Sequence, residues 1–326
     1  MTLKRVFSGM RPTGKLHLGH LVGALHNWVR LQDTHHCVYS IVDWHALMGE
    51  YEQSKNIRSY VYEMCADWLA CGVDPERAIV FVQSDVPEHL ELQMFLSCLT
   101  PLGWLERNPT YKEQLREITS RDLQTYAFLG YPVLQAADIL LYKADEVPIG
   151  EDQLPHLELT REISRRFNSM YGVDLFKDCK PILDTTARLM GLDSRKMSKS
   201  YGNTINLVDT PEEIQAKVKN MITDPQRLRL KDPGHPDVCN VFSYYKTFLP
   251  AQTMDARAWC EGALKGCTDC KKQLADAVIE YLRPVREKRL KFGEDRAFLD
   301  EVLKKGAVRA RNEAAQTMAE VRKAVF

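Results

Sequence analysis

The chain of 326 residues has no run approaching the roughly 18 consecutive apolar residues that a membrane span needs. Its opening, Met1-Thr2-Leu3-Lys4-Arg5-Val6-Phe7, lacks the apolar stretch of a secretory signal. It has no internal repeat, no low-complexity tract and no excess of either charge. Lys+Arg and Asp+Glu both total 44, so the formal net charge is zero. That balance argues against a general nucleic-acid coat and leaves room only for a localised basic face. Neither DNA nor a membrane is an expected partner, and the expected compartment is the cytoplasm. What the chain does have is apolar material: 44% of its residues are hydrophobic, enough for a sizeable core. Such a length suggests one large domain or two.

The first half alternates strand-like and helix-like segments. Val6-Phe7-Ser8-Gly9, the run 36–43 and Ala78-Ile79-Val80-Phe81-Val82 read as strands. Between them, Leu21, Val22, Leu25, Trp28 and Val29 recur at helical spacing, as do Ile57, Val61, Met64, Cys65, Trp68 and Leu69 up to Gly72. Pro87 suits a first helical position. This order predicts an α/β fold, a Rossmann-like doubly wound parallel sheet with helices on both faces. After about Tyr201 strand signals almost vanish. Thr210-Pro211-Glu212-Glu213 has a capping-box pattern, and Ile214, Val218 and Ile222 follow as an i, i+4, i+8 stripe. Further helical patterns span 251–262, 270–292 and 296–325. The expected division is a Rossmann-like α/β domain over 1–203 and an α-helical domain over 204–326, with the last helix free to pack back on the first domain.

Two short segments carry chemistry. In Pro12-Thr13-Gly14-Lys15-Leu16-His17-Leu18-Gly19-His20, two imidazoles flank a glycine where the first strand should hand over to a helix. A helix start offers unpaired N–H groups to phosphate, Gly19 lets a nucleotide lie close, and His17 and His20 can donate as charge builds. In Lys196-Met197-Ser198-Lys199-Ser200, two ammonium groups sit in a polar loop between Gly191 and Gly202. Lys196 and Lys199 suit a leaving pyrophosphate, because nucleotidyl transfer needs positioned positive charge. Alone, either segment also reads as a solvated loop; the pairing is what points to ATP.

Tyr131, Gln135 and Asp138 fall at i, i+4 and i+7, on one face of a helix that Pro132 can start. Asp138 interrupts the apolar run from Val133 to Tyr142, where an unpaired carboxylate would be costly. It therefore needs a donor, unless it lies on a solvated face. Nine cysteines are present, four of them as Cys239-x20-Cys260-x6-Cys267-x2-Cys270. Without a secretory signal that spacing favours a tetrahedral thiolate site, and spacing alone does not separate zinc from an iron–sulfur cluster. The stretch from Arg283 to Arg289 is basic and could meet RNA phosphates.

In order and separation, the two signatures resemble the ATP-binding signatures of class I aminoacyl-tRNA synthetases. The blocks 131–142 and 147–153 are similar to those of bacterial tryptophanyl-tRNA synthetases. The resemblance extends over essentially the whole chain and implies ligation of L-tryptophan to tRNA(Trp) through tryptophanyl-adenylate, with Mg·ATP as the second substrate. It assigns His17, His20, Lys196 and Lys199 to catalysis. It places Arg11, Pro12, Thr13, Gly19, His20, Gly150, Glu151, Asp152, Leu189, Lys196, Met197, Ser198, Lys199 and Ser200 around ATP. Asp138 would take the indole N–H, and Tyr131 and Gln153 the ammonium and carboxylate end. Gln135, Phe7, Gly9, His45, Val147 and Ile149 would line the remainder. Two positions depart from the family's common residues: Gln135 stands for Met, and Arg11 for Gln. Cys239, Cys260, Cys267 and Cys270 would hold a [4Fe-4S] cluster in an anticodon-binding domain, zinc being the alternative, and the resemblance implies a homodimer. A tyrosyl-tRNA synthetase and a catalytically silent RNA-binding paralogue are the rival readings.

Overall fold

The computed structural model describes residues 3–117, 122–183, 189–198 and 201–326. Five parallel strands form one sheet in the order β3-β2-β1-β4-β5: β1 (Lys4–Met10), β2 (His35–Ile41), β3 (Ala78–Val82), β4 (Glu146–Ile149) and β5 (Lys180–Leu183). The three expected strands are present, and the fold class is the one expected. Strands β4 and β5 are short, four residues each, and had no clear sequence signal. Strand β2 and the edge strand β3 are buried on both faces, with Val38, Tyr39, Ile79, Val80 and Phe81 nearly inaccessible, as a parallel sheet covered by helices requires.

The chain divides into two compact units. The first comprises 1–13, 24–185 and 295–326; the second comprises 14–23 and 186–294. The segment around His17 pairs by its backbone with the segment around Asn206, which draws both into the second unit. The links are Leu18 N–H to Ile205 O at 2.9 Å and Leu207 N–H to Leu16 O at 3.0 Å.

In the first unit, the helix Tyr126–Leu141 and the helix Leu154–Tyr171 cover one side of a core that includes Phe7, Val38, Phe81, Leu96, Val133 and Leu157. The helix Arg296–Val325 packs on β3 and supplies Ala307, Ala310, Ala314, Met318 and Val321 to the same core. Gly306 allows that approach: a Cβ there would lie 1.7 Å from the Val80 carbonyl oxygen. Pro132 lies inside its helix and does not begin it. Thr125 is the cap, its hydroxyl accepting from Phe128 N–H at 3.2 Å, so the helix starts a turn and a half earlier than the proline suggested.

The second unit is helical apart from isolated bridges among the described residues. The capping box forms as expected: Thr210 Oγ1 accepts from Glu213 N–H at 3.2 Å, and Glu213 Oε2 from Thr210 N–H at 2.8 Å. The helix it opens ends at Lys219, so only Ile214 and Val218 of the apolar stripe are on it. Ile222 lies beyond and gives its N–H to Leu192 O. The helices Thr253–Glu261 and Cys267–Glu294 follow, the latter carrying Pro284 inside it. Among the described residues no helix is long and apolar enough to cross a membrane.

Candidate active site

In the first unit, candidate residues gather beyond the carboxyl ends of the strands, where open α/β sheets bind ligands. Arg11 to Thr13 follow β1, Asp43 to His45 follow β2, Gln83 follows β3 and Gly150 to Gln153 follow β4. Asp138 is the focus. It is 2% exposed, and its carboxylate accepts three hydrogen bonds. Oδ1 takes one from Gln83 Nε2 at 2.8 Å and one from His89 Nδ1 at 2.6 Å; Oδ2 takes one from His45 Nε2 at 2.9 Å. Burial pushes this carboxyl up, but the bonds from His45 and His89 outweigh it and hold the group down at about 2. An ionised carboxylate only accepts, so each ring nitrogen facing it carries a proton. One acceptor position on Oδ2 remains for a further donor. His89 is fully buried, and its Nε2 meets the Tyr142 hydroxyl at 2.9 Å. The Tyr142 ring stacks on Phe7, centroids 5.5 Å apart and planes 5° from parallel.

His45 thus has a place more specific than lining. Phe7 and Val147 are buried beside Asp138's helix, and Ile149 packs against the same core. Gly9 is tightly enclosed, since a Cβ would come within 2.8 Å of Val42 Cγ1. Gln135 is half-buried on the Asp138 helix. Gln153 Nε2 donates to Asp152 Oδ2 at 3.2 Å, and Gly150 precedes the short turn Glu151–Gln153.

The second buried network ends on Tyr131, whose hydroxyl lies 3.0 Å from His156 Nε2, while Asn108 Nδ2 lies 3.0 Å from His156 Nδ1. His156 is 1% exposed, and burial lowers it to about 4, leaving the ring neutral near pH 7. Gln83, His89, His156 and Asn108 were not among the expected site residues. One cue was available: His89 and His156 lie in helical segments, where an amphipathic reading assigns them to the surface.

In the second unit the two signatures touch. Gly19 is packed so that a Cβ would lie 3.1 Å from the His17 ring and 3.5 Å from Met197 Sδ. The rings of His17 and His20 are 3.7 Å apart, and His17 N–H donates to His20 Nδ1 at 3.2 Å. Asn203 ties the lysine loop: its Nδ2 donates to Asp193 Oδ1 at 2.7 Å and to Lys196 O at 3.1 Å, and its Oδ1 accepts from Ser198 N–H at 2.9 Å. Lys196 is exposed, and Leu189 and Met197 are buried. Lys199 and Ser200 lie outside the described residues.

The four clustered cysteines are all partly buried in this unit. Burial raises the thiols of Cys239, Cys260 and Cys270, and neighbouring cysteines of the set push the same way. They are close enough to feel one another, and four soft thiols suit a thiolate-bound metal. Among the described residues, however, no three His, Cys, Asp or Glu side chains form a metal-holding group. Within the basic stretch Arg283 and Lys288 are exposed, Arg283 pairing with Glu280 at 2.6 Å, while Arg289 is 7% exposed.

The chain matches the family described as "tRNA synthetases class I (W and Y)" over residues 3–283. It is 48% identical to the tryptophan–tRNA ligase of Thermotoga maritima, covering 98% of each chain. It is 40% identical to that of Aquifex aeolicus, covering 98% of this chain and 99% of the other. The fold is similar to a crystal structure of tryptophanyl-tRNA synthetase from Campylobacter jejuni complexed with ADP and tryptophan, with a TM-score of 0.88, 31% identity and 98% of both chains covered.

Proposed function

The chain belongs to the class I tRNA synthetases of the tryptophan and tyrosine type, and from that membership we propose how its own residues carry the family's reaction. The function is tryptophan–tRNA ligation: L-tryptophan is activated with ATP to tryptophanyl-adenylate, then transferred to the 3′-terminal adenosine of tRNA(Trp). Both nucleophiles belong to substrates, so the protein contributes orientation and electrostatics.

In the proposed assignment, Asp138 accepts the indole N–H through the free position on Oδ2. The observation that carries this is the three-donor clamp, which holds a fully buried carboxylate ionised and oriented. Tyr131 and Gln153 take the ammonium and carboxylate end, and Phe7, Gly9, His45, Gln135, Val147 and Ile149 shape the pocket. Gly150, Glu151 and Asp152 meet the ribose, and Leu189 meets the adenine. Arg11, Pro12, Thr13, Gly19, Met197, Ser198 and Ser200 complete the contacts to Mg·ATP. His17, His20, Lys196 and Lys199 stabilise charge as pyrophosphate leaves. The contact of Gly19 with Met197 supports a joint role for the two signatures.

The finer proposals concern the second unit and the assembly. Cys239, Cys260, Cys267 and Cys270 are the residues that would hold a [4Fe-4S] cluster, with zinc the alternative; their spacing in the sequence is what supports this reading. Such a group would fix the local geometry of a helical region that reads the anticodon, within the proposed domain 204–326. A homodimer acting in the cytoplasm, where charged tRNA is used, completes the proposal. Amino-acid-dependent ATP–pyrophosphate exchange tests the core of it. Tryptophan should drive exchange, and exchange driven by tyrosine alone would overturn the pocket assignment.

A further inference from the structure

The Tyr131 hydroxyl is backed by His156, and His156 in turn by Asn108. Thr110 N–H, a backbone donor that cannot be reversed, donates to Asn108 Oδ1 at 3.0 Å. Turning the Asn108 amide over would set its NH2 against that N–H, two donors face to face. Its Nδ2 must therefore point to His156 Nδ1, 3.0 Å away, and that ring nitrogen must be the acceptor. Asn108 and His156 are 5% and 1% exposed, so no water competes freely for either. A neutral imidazole with an accepting Nδ1 carries its proton on Nε2. Nε2–H then donates to the Tyr131 oxygen 3.0 Å away. The backbone carbonyl of His156, bonded by Thr160 Oγ1 at 2.9 Å, anchors the base of the ring.

The consequence lies at the phenol. Its oxygen already receives one hydrogen bond, so its own proton must turn away from His156. We propose that His156, set by Asn108, is a positioning residue that makes Tyr131 present one hydroxyl proton and one lone pair to the amino acid, the proton for a carboxylate oxygen and the lone pair for the ammonium. This rests on the reading that Tyr131 faces the polar end of the substrate. With the opposite tautomer, Tyr131 would spend its proton on His156 and meet a carboxylate with lone pairs only.

Nitrogen-15 NMR of the full-length protein, with His156 assigned by comparison with His156→Gln, reads the tautomer directly. The proton is expected on Nε2; a proton on Nδ1 would overturn the proposal. In pyrophosphate exchange, His156→Leu should raise the KM for the amino acid about tenfold, roughly the worth of one misdirected hydrogen bond, with the KM for ATP unchanged. His156→Gln, whose amide nitrogen takes the place of Nε2, should remain within about twofold of the native enzyme. Tyr131→Phe combined with His156→Leu should be no worse than Tyr131→Phe alone. Independent, multiplicative losses would sink the relay, as would a Gln variant that is folded yet as impaired as Leu. If His156→Leu does not fold, the nearly isosteric Asn108→Asp serves. Its carboxylate accepts from Thr110 N–H and also from Nδ1–H, reversing the tautomer, and it should raise the amino-acid KM by a similar factor. An unchanged KM in that reversed state would refute the proposal. Because the relay acts on the end common to all amino acids, running the assay with tryptophan and tyrosine separates its failure from failure of the indole assignment.

Discussion

His89 stands between Asp138 and Tyr142, 2.6 Å from the carboxylate and 2.9 Å from the phenol, with no exposed surface of its own. A carboxylate this deep is destabilising unless its donors are all in place. Asp138→Asn should therefore do more than weaken one bond to substrate. The amide's NH2 must face Gln83 and His89 or His45, each of which donates, leaving a buried clash of donors. A bond to a charged group contributes about 1.5–3 kcal/mol, so kcat/KM for tryptophan should fall tens- to hundredfold while the KM for ATP stays near its native value. Unaltered tryptophan kinetics in this variant would show that Asp138 does not meet the indole.

Lys196→Ala and Lys199→Ala should each slow adenylate formation far more than they weaken tryptophan binding. Charge on the departing pyrophosphate is greatest in the transition state, so an interaction with it appears in kcat. Single-turnover adenylate formation measures this directly. A variant with native turnover and a raised amino-acid KM would place the lysine elsewhere.

Acidification should destabilise the first unit through His156. Its folded value, lowered by burial to about 4 from an ordinary 6.5, means the unfolded chain binds the proton more readily. The penalty begins as pH falls below about 6.5, grows until about pH 4, and amounts to roughly 3 kcal/mol at most. Asp138 works over a lower window: its depressed value contributes stability above its ordinary 3.8 that is lost as pH falls toward about 2. Urea melts of native protein and His156→Gln between pH 4 and 7 check this, and the native curve should be the steeper. Parallel curves would mean that His156 does not titrate as a buried neutral ring.

The strand–helix alternation, the two signatures and the capping box at Thr210 were legible because each is a local pattern. The partners of Asp138 were not. Gln83, His89 and His45 come from three different segments, and nothing periodic marks a histidine that faces inward. Pro132 misled for a related reason. A proline is a good helix starter in isolation, but Thr125 caps the chain earlier and the helix runs through it. Ile222 kept the spacing of its stripe and lost the helix, because spacing carries no information on where backbone bonding stops. The pairing of 16–18 with 205–207 was hidden as well, since it joins residues nearly 200 positions apart.

Gly306→Ala should be among the most damaging single-methyl changes in the chain. The added carbon would overlap the Val80 carbonyl, a backbone atom that cannot swing aside, so helix and strand must separate. Overpacking of this kind typically costs about 1–3 kcal/mol, and thermal melting should show a drop in Tm of several degrees. An unchanged Tm would mean the contact is looser than described.

Cys267→Ser should weaken tRNA charging and leave tryptophan-dependent pyrophosphate exchange largely intact, since thiolate ligation couples to local folding. Anaerobically purified native protein should be brown and contain iron. A colourless preparation with stoichiometric zinc would replace the cluster and keep the four ligands.

The helix Arg296–Val325 belongs to the same compact unit as β1, β2 and β3, whose residues are made first. During synthesis the face of β3 that receives Ala307, Ala310 and Ala314 must wait for nearly the entire chain to leave the ribosome. For that interval the part of the core that these side chains fill stays open beside β3, while the intervening helical segments have already emerged. A nascent chain stalled before residue 296 should therefore be a form in need of a chaperone, and the arrival of the helix Arg296–Val325 should end that need.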